Sequence, residues 1–131
     1  NDANKKNDQC IANEEKKHID AFEYVSNNIR IRGKNTKNKY DLLTSTRLYN
    51  QSDELPLSIY LASTSSCFDS YVNDMMKINQ SWGMLTRNQL NRFDYIYGEF
   101  MMKKLTVSSF NKKYDEAISE SMAEWDSIWR K

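Results

Sequence analysis

The chain has three glycines, one proline and one histidine in 131 residues. All-β folds place Gly and Pro at their frequent turns, so this scarcity points to few turns and long helices. No apolar run approaches the roughly 18 residues that a membrane-spanning helix requires. Three glycines cannot supply either the dinucleotide-binding fingerprint or a phosphate-cradling P-loop. Charge of one sign is also missing. Nineteen basic residues face eighteen acidic ones, for a net +1, and the two are mixed along the chain. That is unlike the strongly basic footprint of a nucleic-acid binder, and unlike a polyacidic disordered segment.

Catalytic groups are equally sparse. Any Ser-His-Asp or Cys-His arrangement has to run through His18, and no nucleophile motif accompanies a Ser or Cys. Glu14 and His18 stand four apart and share a helix face, but they make only half of a zinc site. Asp115, Glu116, Glu120 and Glu124 read as a solvated helix flank rather than as paired catalytic acids. The expectation is a protein with no catalytic centre, no metal and no cofactor.

What is present is helical patterning. Ile11, His18, Phe22, Val25 and Ile29 mark a first helix starting near Asp8, which leaves residues 1–7 as a polar, flexible tail and 8–131 as one helical domain. A basic connector, Arg30 to Lys39, follows, with Gly33 suited to a helix C-cap. Tyr40, Leu43 and Arg47 predict a shorter second helix, ending before Asn50. Ser52 or Asp53 can cap a third, with Pro56 in its first turn and an apolar stripe from Leu57 to Ile78. A strand over Leu57–Leu61 is the lesser reading. Trp82 falls in the next turn. Thr86 and Gln89 have the spacing of a capping box for a fourth helix, within which Gly98 suits a close helix crossing. Thr106 caps the last helix, whose stripe runs from Val107 to Trp129. The fold class is therefore all-α: a compact, antiparallel bundle of four to five helices.

Cys10 and Cys67 form an even pair, and the chain opens on Asn1 rather than Met. Together they point to one disulfide and to a secreted or periplasmic protein, the other reading being two buried free thiols. A bridge closing so long a loop contributes about 4 kcal/mol. Asn50-Gln51-Ser52 and Asn79-Gln80-Ser81 both match the glycosylation sequon.

Eight Tyr, five Phe, three Trp and six Met are more than a core of this size easily covers, so part of them should form an exposed patch. Trp, Tyr and Met are enriched at binding hot spots. The candidate contacts are Trp82, Tyr95, Tyr97, Trp125 and Trp129, with Arg30, Arg32 and Lys34 steering the approach electrostatically. In size, helicity and a lone cysteine pair the chain is similar to small helical periplasmic immunity proteins, a likeness of architecture alone. The expected function is non-catalytic binding of another protein, of inhibitor, immunity or envelope-adaptor type. A second copy of the chain is an admissible partner. The alternative is a small-molecule or lipid carrier with an aromatic- and Met-lined cavity.

Overall fold

The computed structural model describes residues 1–31 and 38–129. Six helices follow in order: α1 Asp2–Lys17, α2 Ile19–Asn28, α3 Lys39–Thr44, α4 Gln51–Ile78, α5 Gln80–Met101 and α6 Val107–Trp129. The chain is all-α, and a Cys10–Cys67 disulfide joins the middle of α1 to the middle of α4. Helix α4 is the central element, packed against α1, α2 and α5. Helix α6 lies along α5 and is backed by α3.

The N-terminal segment departs from the expected tail. Residues 2–8 are helical, because Asn1 caps α1 by accepting the Asn4 N–H at 2.8 Å. Ala3 is buried, and Tyr71 of α4 donates to the Asn4 side chain at 2.6 Å. The single first helix read from the sequence is divided at His18, whose N–H still reaches the Glu14 and Glu15 carbonyls. Neither Pro nor Gly occurs there, and nothing in the local sequence requires the break.

The other helix starts follow from specific caps. At α4 the Asp53 carboxylate accepts the Asn50 N–H at 2.9 Å, so the helix begins earlier than expected and Pro56 lies beyond its first turn. The proline removes the bond to the Ser52 carbonyl, which is tolerable because Ser52 is exposed. At α5 Asn79 accepts from the Ser81 and Trp82 N–H groups. Trp82 is therefore helical, and Thr86 is an interior residue whose hydroxyl bonds back to the Trp82 carbonyl. Thr106 and Ser109 exchange side-chain and backbone bonds at the start of α6, where a cap was expected.

The main core gathers where α2, the start of α4, the end of α5 and the start of α6 meet. Phe22, Phe100 and Phe110 are its largest enclosed side chains, with Val25, Ile29, Leu57 and Val107 between them. Two polar devices lock this end. Asp53 is fully enclosed and accepts from Tyr24 Oη and Arg47 Nη1, both at 2.7 Å, besides Asn50 N–H. Asn111 of α6 donates to the Ile29 carbonyl at 2.8 Å and accepts the Ile31 N–H at 2.9 Å, pinning the end of α2 to α6.

Close helix approach occurs at Gly83, not at Gly98. A Cβ on Gly83 would sit 2.0 Å from Met76 Cγ and 2.8 Å from Met76 backbone, whereas one on Gly98 would meet nothing within 4 Å. Between α5 and α6, Lys103 adopts φ 61°. The Lys103 and Lys104 N–H groups bond back to the Phe100 and Glu99 carbonyls, the pattern of a left-handed helix stop.

Candidate functional site

Helix α5 starts beside the end of α4, and α6 runs antiparallel to it, so Trp82 meets the last turns of α6. Its ring centroid lies 6.2 Å from that of Trp125 and 5.2 Å from that of Trp129. Trp125 is half-buried, and its indole N–H donates to Gln89 Oε1 at 2.9 Å. Gln89 is itself buried and donates to the Ser121 carbonyl. These hydrogen bonds hold Trp125 in place, and Trp82 packs edge-on against it. The third, Trp129, rests on Trp82 and stays 66% exposed. Ile78 on α4, Met84 on α5 and Met122 on α6 are also exposed, although Met84 lies about 200° around α5 from Trp82. Arg92 binds Glu124 at 2.8 Å and lies 3.6 Å from Glu120, so charged pairs border the platform along the α5–α6 seam.

The other sequence candidates lie elsewhere. Tyr95 is 69% exposed, but thirteen residues of helix, about 20 Å of rise, separate it from Trp82. It lines a shallow groove between α5 and α6 with Arg92, Ile96 and Glu99. Tyr97 is 4% exposed and packs against Phe110 and Tyr114. It is part of the core, because consecutive helical residues point about 100° apart and here Tyr95 takes the outer direction. Arg30 is half-buried and turned inward, its guanidinium 4.2 Å from the Tyr114 ring centre. Arg32 and Lys34, with Gly33 between them, lie outside the described residues.

His18 occupies the α1–α2 junction with its Nε2 3.8 Å from Glu14 Oε2. Among the described residues no group of three or more His, Cys, Asp or Glu side chains gathers as a metal site would require. Sequence reasoning did not anticipate the interior surroundings of Arg30. Its place just beyond an apolar helix stripe, Phe22–Val25–Ile29, is the signal that it could turn inward.

No protein-family description, curated protein or solved structure matches the chain.

Proposed function

We propose that this protein is a non-catalytic binding protein, of inhibitor, immunity or envelope-adaptor kind, that takes a protein partner on the tryptophan end of its bundle. The carrying observation is Trp129, held on Trp82 with most of its surface in water. Covering such a side chain removes on the order of 150 Å² of apolar surface, worth about 3–4 kcal/mol before the costs of association. A tryptophan on a pre-ordered platform loses little further freedom on binding, which is the character of a hot spot. The disulfide, and the lack among the described residues of a helix able to cross a membrane, are compatible with a periplasmic or extracellular setting.

The test is recovery of the full chain, affinity-tagged, from the organism that makes it. Trp129→Ala and Trp129→Asp are expected to lose a partner that wild type and Tyr40→Ala retain, with unchanged thermal melting. Tyr40 is 80% exposed on α3, away from the tryptophans. Retention of the same partner by both platform variants would contradict the assignment.

A further inference from the structure

Helices α4 and α5 pack against each other, and a cavity of about 220 Å³ opens on the seam between them, reaching inward to Tyr114 of α6. Leu61 and Phe68 of α4 and Leu90 and Phe93 of α5 line it. All four are half-buried, unlike the enclosed phenylalanines of the core. Apolar side chains on neighbouring helices ordinarily close on one another. Here a space large enough for a small molecule separates them. Its inner end is aromatic. Phe93 stacks on Tyr114 with ring centroids 4.6 Å apart, and Tyr97 lies 5.9 Å from Tyr114 and 6.4 Å from Tyr60.

The polar groups around this space are engaged with one another. Arg30 Nη1 donates to Tyr60 Oη at 3.0 Å, and the guanidinium lies over the Tyr114 ring. Arg30 Nε and the Tyr97 hydroxyl oxygen are enclosed and do not reach the cavity. The Thr64 hydroxyl donates to the Tyr60 carbonyl of its own helix at 3.0 Å. At the exposed rim Arg87 of α5 binds Asp69 of α4 at 2.8 Å, and Asp94 lies within reach of the same guanidinium's charge. The lining cations, Arg30 and Arg87, are thus matched by the carboxylates of Asp69 and Asp94, and the cavity carries no net charge. A charged ligand would shed its water here with no net counter-charge to offset the loss. An apolar one gains from every part of its surface that the walls cover.

We propose that this cavity binds a small, neutral aromatic molecule of the size of a cresol or an indole. An engineered apolar cavity of about 150 Å³ takes up benzene, so 220 Å³ admits one substituted or fused ring. Stacked and edge-on contacts with the aromatic walls favour a ring over an aliphatic group of the same bulk. The site is separate from the tryptophan platform and does not depend on it.

The experiment titrates the full chain, carrying labelled leucine methyls, with p-cresol and indole, and with cyclohexanol, benzoate and benzylammonium for comparison. Calorimetry gives the affinities, and NMR locates the ligand. The two neutral aromatics are expected to bind saturably, with NOEs to the Leu61 and Leu90 methyls. Benzoate and benzylammonium should bind at least about tenfold more weakly, because each brings a charge into an apolar space. Cyclohexanol should bind several-fold more weakly. Leu90→Trp fills the cavity with its own indole and should lower the affinity for p-cresol by at least about tenfold. Absence of saturable binding, equal binding of a charged analogue or of cyclohexanol, or undiminished binding by Leu90→Trp would overturn the proposal. So would ligand NOEs to Trp129 with none to Leu61 and Leu90. Should Leu90→Trp not fold, the methyl NOEs of the wild-type protein decide it.

Discussion

Removing the disulfide should lower the stability of this protein by about 4 kcal/mol. The bridge spans 57 residues of sequence, and closing a loop of that size lowers the entropy of the unfolded chain by an amount worth about 4 kcal/mol. The non-covalent hold on α1 is weak by comparison. Ala3 is its one fully buried residue, and Ile11 packs partly against the core. These contribute about 2–3 kcal/mol together by area. The Lys6–Asp74 pair, at 3.2 Å with the lysine mostly in water, adds little. An unfolding entropy of about 2.1 cal/mol/K per residue converts 4 kcal/mol into a melting shift of about 15 °C for a chain of this length. The assay compares wild type with the Cys10→Ala/Cys67→Ala double variant by thermal melting at 222 nm, with amide exchange across α1. The variant should melt about 15 °C lower, and α1 amides should exchange well before those of α4. A drop under about 3 °C, with α1 still protected, would show that packing rather than the bridge secures this helix.

Three further effects follow from contacts elsewhere in the fold. Asp53→Ala leaves Arg47 and Tyr24 facing an empty site and should lower urea-unfolding stability by about 3–5 kcal/mol. A loss under about 1 kcal/mol would contradict the buried hub. Lys103→Gly relieves the left-handed backbone at φ 61° and should raise the urea midpoint by the equivalent of about 0.5–1 kcal/mol; no gain would contradict that conformation. Burial, reinforced by the hydrogen bond to Asp53, raises the Tyr24 pKa to about 12, whereas an unfolded tyrosine titrates near 10. A folded value above the unfolded one means this contribution is whole below pH about 10 and is lost as pH rises through 12. The stability gap between wild type and Tyr24→Phe should narrow across that window, and a constant gap would refute it.

The helical class and the cysteine pairing were legible because each rests on a signal confined to few residues: scarce Gly and Pro, two cysteines, a Thr106 cap before an apolar stripe. The helix starts at Asp2 and Gln80 were not, because their caps are Asn1 and Asn79, and an asparagine in a polar stretch reads equally well as loop. Asn50 and Asn79 match sequons and prove to flank the first turns of α4 and α5. Thr86 and Gln89 have capping-box spacing, yet both are interior, since spacing cannot reveal that a helix has already begun. The tryptophan pair was found from its i, i+4 relation, whereas Trp82 joins it only through the antiparallel packing of α5 on α6. Tyr95 and Tyr97 could not be sorted by sequence, and the structure exposes one and encloses the other. Arg30 was grouped with its basic neighbours on charge alone. Its inward course depends on α2 ending at Asn28, where Asn111 of α6 takes the Ile29 carbonyl.

The central claim is that the tryptophan end is the surface that meets a partner. Its most direct test replaces Trp129 with a photo-crosslinking phenylalanine derivative in the producing organism and does the same at Tyr95 and Tyr40. A single defined protein adduct at position 129, absent at 40 and at 95, is the predicted result. Adducts at 95 or 40 with none at 129 would contradict it.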